Sequence, residues 1–237
     1  MLEFLIDKKY QILDSVSSTN DYIKDKDLFL VIAYSQTAGK GTNNRSFFSP
    51  GGGIYLSVKT QVKTENLSKV TAFTAVAVCS ALEKSVGLKA DIKWVNDIYI
   101  NGKKLGGILC ESVVKSLGVS TVIIGIGLNL KKQSFPSFNQ NVPTSIENEL
   151  GYIPDRDSII DNLVKEFLTL DKSIESKEFL PCYKNRSCLI GKTVKTTQNS
   201  IDYQGVVVRI NDDLSICVKI NGEEKNYYNG DIKITVE

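Results

Sequence analysis

The sequence predicts an α+β protein: a mixed β-sheet with helices packed against it, followed by a small all-β module. Three observations carry this. Apolar runs at 29–34, 54–58 and 122–128 read as buried strands. Two segments show helical spacing, one around Val70, Phe73, Ala77 and Leu82, the other over 158–172. From Leu189 onward, apolar residues alternate with polar ones between turn signals.

In order along the chain, Phe29-Leu30-Val31-Ile32-Ala33-Tyr34 is a strand that ends where Gln36, Thr37, Gly39 and Gly41 open a loop, and Ile54-Tyr55-Leu56-Ser57-Val58 is the next strand. The first helix closes at Gly87, a C-terminal cap. Val122 to Leu128 is a buried strand whose Gly125 and Gly127 predict a close approach to the backbone. Ser158 to Lys172 reads as one amphipathic helix on Ile159, Leu163, Phe167 and Leu170. In the last stretch Val206, Val208 and Ile210, then Leu214, Ile216, Val218 and Ile220, form the inward set. An Asn221-Gly222 turn pairs Lys219 with Glu224. These readings place 1–188 in one domain and 189–237 in a second.

Composition narrows the chemistry. With 29 Lys+Arg against 27 Asp+Glu the net charge is +2, which gives no basic footprint for nucleic acid. There is no histidine, so His-based triads, His-ligated zinc and imidazole switches are excluded. The five cysteines, Cys79, Cys110, Cys182, Cys188 and Cys217, are scattered without a Cys-x-x-Cys spacing. A disulfide scaffold is not expected, and a reducing cytoplasm fits. No apolar run reaches the ~18 residues that cross a bilayer, and the amino terminus does not read as a signal peptide. A soluble cytoplasmic protein without membrane contact is expected.

Three constellations bear chemistry. Gln36-Thr37-Ala38-Gly39-Lys40-Gly41-Thr42-Asn43-Asn44-Arg45 runs into Phe47-Phe48-Ser49-Pro50 and Gly51-Gly52-Gly53. Its glycines let amides converge on an anion and Lys40 and Arg45 add charge, although the spacing is neither a Walker A loop nor a dinucleotide fingerprint. Such a loop also reads as a surface turn. The second is Lys93 to Gly107, with an Asn101-Gly102 hairpin turn. A two-residue turn pairs Ile100 with Lys103, Tyr99 with Lys104 and Asp97 with Gly106. Strand alternation then places Lys93, Asp97, Tyr99, Lys104 and Gly106 on one face. Lys104 lies diagonal to Asp97 at about 7–8 Å, Lys93 about 13 Å from Asp97 along the strand, and Gly106 leaves space opposite Asp97. Two lysines and a carboxylate around a gap suit an anionic substrate, although by itself such a pattern is more often a solvated hairpin face. The third is Ser17-Ser18-Thr19-Asn20, which reads as polar contacts to a heterocycle or as a helix cap before Asp21.

Taken in order, these motifs resemble the catalytic region of biotin protein ligases over essentially the whole chain. That family shows Ser-Thr-Asn, then Gln-x-x-Gly-Arg-Gly-Arg-Arg-Gly-Arg-x-Trp-x-Ser-Pro, Lys-Trp-Pro-Asn-Asp, Lys-Leu-x-Gly-Ile-Leu and Gly-Ile-Gly-Ile-Asn. Here they stand as Ser18-Thr19-Asn20, Gln36 to Pro50, Lys93 to Asp97, Lys104 to Leu109 and Gly125 to Asn129, with Pro143-Thr144-Ser145-Ile146 similar to a following Thr-Ser-Leu.

The resemblance implies a fold like that of class II aminoacyl-tRNA synthetases and biotin ligases, with a terminal SH3-like barrel. It implies an ATP-dependent ligase that makes biotinyl-5′-adenylate and passes biotin to one lysine of a biotin carboxyl carrier domain, with Mg2+ held mainly by the phosphates. By family position, biotin contacts fall on Ser18, Thr19, Asn20, Gln36, Gly39, Lys40, Gly41, Thr42, Lys104 and Gly107. ATP contacts fall on Lys40, Arg45, Lys93 and Asn129, and the catalytic set is Lys104, Asp97 and Lys93, with Asp97 orienting or deprotonating the carrier lysine. A chain without histidine suits these steps, since neither needs an enzyme nucleophile.

Some positions depart from the family. Lys40-Gly41-Thr42-Asn43-Asn44-Arg45 replaces Arg-Gly-Arg-Arg-Gly-Arg, which predicts looser retention of the adenylate. Val95 replaces a proline and Phe47 a tryptophan. The motifs begin almost at the amino terminus, so a DNA-binding role is not expected, and a homodimer through a sheet edge stays open. The competing readings are a non-catalytic sensor of biotin or its adenylate, and a lipoate–protein ligase. The second lacks its Gly-Gly-Gly-x-Val-x-His-Asp motif here.

Overall fold

A computed structural model of the protein describes residues 2–5, 7–114, 118–135, 142–198, 201–228 and 233–236. The first sheet is built from β1 (Tyr10–Leu13), β2 (Leu30–Ala33), β3 (Ile54–Lys63), β4 (Asp91–Lys93), β5 (Asp97–Ile100), β6 (Lys103–Val114) and β7 (Val119–Leu128). Their spatial order is β1-β2-β3-β7-β6-β5-β4. β1 runs parallel to β2, and every other pairing is antiparallel.

The two faces of this sheet differ. Ile54, Leu56 and Val58 alternate onto one face with Val122, Ile124, Ile126 and Leu128, and bury against α2 (Leu67–Val86). Gly87 caps α2 at φ 70°, as its place in the sequence predicts. On α2, Phe73 meets Phe167 and Phe179 edge-on, each with ring centroids 6.1 Å apart, and so gathers the carboxyl-proximal helices. These are α4 (Arg156–Phe167), α5 (Leu170–Ser176) and α6 (Phe179–Asn185). The opposite face carries the short α1 (Thr19–Lys24), whose Ile23 packs on Val31 and Ile123. Past that small apolar contact, this face opens. Gly107 pairs with Gly127, and Gly125 lies between Ser57 and Leu109. Three neighbouring glycines leave a trough with no side chains in its floor. α3 (Ile146–Leu150) lies near one end of β7, tied through the Ile146 amide to the Asn129 carbonyl at 2.9 Å.

Four expectations need correction. Residues 158–172 do not form one helix. Thr169 Oγ1 donates to the Glu166 carbonyl at 2.9 Å and the Leu168 amide reaches Lys165, so α4 ends and α5 restarts at Leu170. Lys93 and Asp97 do not share a strand, because Trp94-Val95-Asn96 reverses the chain and pairs them directly across β4 and β5. In the next hairpin the turn is as predicted, with Asn101 at φ 50° and Gly102 at φ 74°, and Tyr99 pairs with Lys104. A bulge at Leu105 then shifts the register, so that Asp97 faces Gly107 and not Gly106. Finally, Val206 points outward while Val207 is buried. A bulge opposite Cys217 and Val218 restores Ile210 to the inner face.

The second sheet comprises β8 (Thr193–Gln198), β9 (Ile201–Ile210), β10 (Ile216–Ile220), β11 (Glu223–Tyr227) and β12 (Lys233–Val236), antiparallel in the order β11-β10-β9-β8-β12. Asn221 and Gly222 both adopt positive φ, and Lys219 pairs with Glu224 as expected. The Trp94 indole N–H donates to the Leu214 carbonyl at 2.9 Å and ties the two sheets together. All five cysteines are free thiols. Among the described residues no helix is long and apolar enough to cross a membrane.

Candidate active site

The glycine trough is the floor of a cleft. At one end, Ser18 caps α1 with its Oγ, which sets Thr19 and Asn20 at the sheet. The Thr19 amide donates to Gln36 Oε1 at 2.8 Å, and Gln36 Nε2 donates to Ser49 Oγ at 2.9 Å. Ser49 in turn donates to the Phe47 carbonyl at 2.9 Å, which fixes which end of the Gln36 amide faces Thr19. Asn20 lies over Gly125, where a Cβ would meet its Oδ1 at 2.3 Å. Gly127 similarly makes room for the Phe47 ring. These are the close approaches that the two glycines in the strand predicted.

The loop that follows Gln36 folds as a small hairpin. Lys40 bridges Ser46, the Gly41 amide donates to the Arg45 carbonyl at 2.7 Å, and Asn43 and Asn44 take left-handed backbone at φ 56° and 57°. Gly39 is beneath this hairpin, where a Cβ would stand 2.4 Å from Ser49 Oγ, and it does not line the cleft. Both loop cations already have partners. Arg45 donates through Nε to the Thr42 carbonyl at 3.1 Å and through Nη2 to Thr42 Oγ1 at 2.9 Å, while Lys40 pairs with Asp21. The hydrogen bond that Lys40 donates to Asp21 holds its ammonium above its ordinary pKa. Arg156 braces the ends of this whole segment. It donates to the carbonyls of Ala33 at 3.1 Å and Gly53 at 3.2 Å, with its guanidinium over the Tyr34 ring.

At the other end stand Lys104 and Asp97, Nζ to Oδ1 2.7 Å, both about a quarter exposed at 25% and 21%. The Leu105 bulge buries Leu105 in the core and leaves Lys104 and Gly107 together on the cleft face. A Cβ at Gly107 would come within 3.2 Å of the Asp97 carboxylate and 3.8 Å of the Lys104 ammonium. The backbone of Lys104 is held by Val142 and Thr144. Asn96, which sequence reasoning passed over, fastens the turn before Asp97 by donating through Nδ2 to the Ile108 carbonyl at 2.8 Å. Asn129 lines the cleft, with its amide N–H₂ committed to the Thr144 carbonyl at 2.9 Å. Phe48 and Phe135 meet edge-on at the mouth, centroids 6.5 Å apart.

Of the residues expected in the site, Ser18, Thr19, Asn20, Gln36 and the loop positions Lys40, Gly41, Thr42 and Arg45 line this one cleft. Asp97, Lys104, Gly107 and Asn129 join them from the far end. Lys93 does not. Its ammonium sits 5.3 Å from the Tyr99 ring centroid, outside the cleft lining. Burial pulls its pKa below 10.5, with the Asp97 charge opposing. Besides Asn96, two residues were missed. Ser57 is fully buried at 0% exposure and Glu111 is exposed, and both touch Asn20. A serine inside the apolar run at 54–58 was the one available signal for the first. Among the described residues no cluster of acidic or cysteine side chains could hold a metal ion.

The cleft therefore offers a polar corner, a glycine-floored trough, and an ion pair beside an amide and two aromatic rings.

Residues 12–129 match the biotin/lipoate A/B protein ligase family. The chain is 31% identical over 213 residues to the bifunctional ligase/repressor BirA of Bacillus subtilis, covering 86% of this chain and 66% of that protein. It therefore spans just under two thirds of the length of that relative. It is 27% identical over 199 residues to the biotin–[acetyl-CoA-carboxylase] ligase of Paracoccus denitrificans, covering 80% of this chain and 83% of that one. In fold it is similar to the biotin protein ligase of Aquifex aeolicus in complex with biotin and ATP, with a TM-score of 0.83 at 22% identity over 97% of this chain and 100% of that one.

Proposed function

Since the chain belongs to the biotin/lipoate A/B protein ligase family, we propose that it is a biotin–[biotin carboxyl carrier protein] ligase. It activates biotin with ATP to biotinyl-5′-adenylate and transfers biotin to one lysine of a carrier domain in a biotin-dependent carboxylase, in the cytoplasm. The observation that carries this reading is the placement of Lys104 and Asp97 across Gly107 in the same cleft as Thr19 and Gln36.

In the first step a biotin carboxylate oxygen attacks the α-phosphorus and the bond to pyrophosphate breaks. Negative charge gathers where the carboxylate meets the phosphate. Lys104 turns from Asp97 to that point, and the catalytic effect is positioning plus a cation held within reach of the developing charge. Asp97, released from Lys104, then faces the anhydride with a free carboxylate. In the second step the amine of the carrier lysine attacks the acyl carbon, the bond to AMP breaks, and Asp97 takes the amine's proton. Mg2+ arrives with ATP as part of the substrate, held by its phosphates, and Asp97 is the one carboxylate among the described residues that line the cleft. The antiparallel second sheet supports reading 189–237 as an SH3-like barrel after a catalytic domain at 1–188.

A second reading, a sensor that binds biotin or its adenylate without turnover, draws on the loop cations being turned to Thr42 and Asp21. The two readings separate on biotin with Mg-ATP alone. The ligase releases pyrophosphate and accumulates biotinyl-adenylate, and Lys104→Ala slows this about 10²–10³-fold, the scale of losing one oxyanion donor. Binding of biotin without pyrophosphate would favour the sensor.

A further inference from the structure

Lys104 stands close to the Asn101-Gly102 turn, near the start of β6, where the sheet gives it little hold. Tyr99 pairs with it on one side. On the other side β7 has already ended, since its last residue, Leu128, faces Gly106. The Lys104 backbone bonds instead to a short piece of extended chain. Its amide donates to the Val142 carbonyl at 2.8 Å, and its carbonyl accepts from the Thr144 amide at 2.9 Å. The place of this cation therefore depends on what fixes the hairpin tip and what fixes Thr144.

One side chain on α3 fixes both. Glu149 accepts from Thr144 Oγ1 through Oε1 at 2.6 Å and from Asn101 Nδ2 through Oε2 at 2.7 Å, with Lys103 Nζ 4.0 Å from Oε1. The Glu149 side chain is only 8% exposed. Burial alone would raise its carboxyl pKa, but the hydrogen bonds from Thr144 and Asn101 and the charge of Lys103 bring it below the ordinary value. It thus holds its partners as a carboxylate, the stronger form of acceptor. The Thr144 carbonyl in turn accepts from Asn129 Nδ2 at 2.9 Å. Glu149, Asn101, Lys103 and Thr144 all lie outside the cleft lining, so this brace supports the site without touching a ligand.

We propose that Glu149 is a positioning residue for adenylate formation, clamping the hairpin tip to Thr144 so that the Lys104 ammonium stands beside Gly107. The proposal rests on the ligase reading, in which Lys104 serves the first chemical step and Asp97 the second. Asp97 is fastened separately, through the Asn96 bond to the Ile108 carbonyl. Without Glu149, Thr144 Oγ1 and Asn101 lose their shared acceptor, the hairpin tip parts from 142–144, and Lys104 shifts from the point where charge develops. The Thr19–Gln36 corner keeps its own supports, so biotin binding does not follow Lys104.

The test compares wild type with Glu149→Ala, Glu149→Gln, Thr144→Val and the Glu149→Ala/Thr144→Val double variant. Three quantities are measured on each: single-turnover formation of biotinyl-adenylate at saturating Mg-ATP, biotin affinity by titration calorimetry, and transfer from preformed adenylate to a carrier domain. Glu149→Ala is expected to slow adenylate formation about 10–100-fold, the scale of a misplacement near 1 Å, with biotin affinity and transfer unchanged. Glu149→Gln keeps an oxygen for Thr144 and offers its amide N–H to the Asn101 carbonyl once that side chain flips, so it recovers most of the rate. Thr144→Val slows the same step, and the double variant is no slower than Glu149→Ala, because both changes break one link. Equal loss in both chemical steps, or losses that add in the double variant, would mean general loosening of the fold and overturn the proposal. Full adenylation in folded Glu149→Ala would overturn it too. If Glu149→Ala does not fold, Thr144→Val decides: loss confined to the first step sustains the proposal, and no loss ends it. A wild type that binds biotin but forms no adenylate would remove the ligase reading and the role of Glu149 with it.

Discussion

Lys104 and Asp97 form an ion pair at 2.7 Å across a residue that has no side chain. In the proposed reaction the carboxylate of biotin enters over Gly107, so that the pair flanks the point of reaction. Splitting the pair separates the two chemical steps. Asp97→Asn is expected to leave adenylate formation within about tenfold of wild type, since Lys104 is still present, and to slow transfer to the carrier lysine by about 10²–10⁴-fold, the range of a lost general base. Single-turnover rates for each step, measured with preformed adenylate for the second, check this. Equal loss in both steps would remove the role given to Asp97.

Gly125→Ala places a methyl group 2.3 Å from Asn20 Oδ1. Asn20 is 4% exposed and held at both ends of its amide, so it cannot retreat without breaking the polar corner. The variant is expected to lose biotin binding while unfolding about 1–3 kcal/mol more easily, an overpacking cost. Isothermal titration with a parallel denaturation curve measures both.

Thr42 holds the Arg45 guanidinium through two acceptors, and so turns the loop's one arginine back onto the loop. Thr42→Arg restores a cation and removes the hydroxyl that holds Arg45 Nη2, leaving the backbone carbonyl as the remaining acceptor. Release of preformed adenylate in stopped flow is expected to slow about tenfold, the worth of one charge-assisted contact. Unchanged release would mean that the altered loop does not set retention.

Lys93 gives a pH signature. Burial lowers its pKa in the folded protein below the unfolded value near 10.5, so between those two values the unfolded chain binds more protons and wild-type stability gains with rising pH. Lys93→Met carries no such buried charge. Its stability advantage over wild type is expected to be largest at neutral pH and to shrink as pH approaches 10.5. Denaturation curves of both proteins across that window read the difference directly, and a constant gap would contradict it.

How much of this was legible in the sequence depends on how local the information is. Asn101-Gly102 and Asn221-Gly222 state their turns in two residues, and both turns form as written, although the register of the first hairpin shifts beyond Tyr99. Gly87 closes its helix for the same reason. Bulges are set by tertiary packing, so the shift at Leu105 that gives Asp97 its partner, and the one that buries Val207 in place of Val206, were not readable from alternation alone. The reversal at 94–96 turned an apparent continuous strand into a hairpin and carried Lys93 out of the cleft lining. Ser57 and Glu111 stood outside every motif. Their contacts with Asn20 come from the pairing of β3, β7 and β6 around Gly125, which brings residues 37 and 91 positions from Asn20 into hydrogen-bond range.

The most direct measurement of the central claim is the intact mass of a biotin carboxyl carrier domain after incubation with the purified protein, biotin and Mg-ATP, with pyrophosphate followed in the same reaction. The account predicts one biotinyl adduct on one carrier lysine, matched by pyrophosphate release, and loss of both in Lys104→Ala. Biotin binding with no pyrophosphate and no adduct would contradict it.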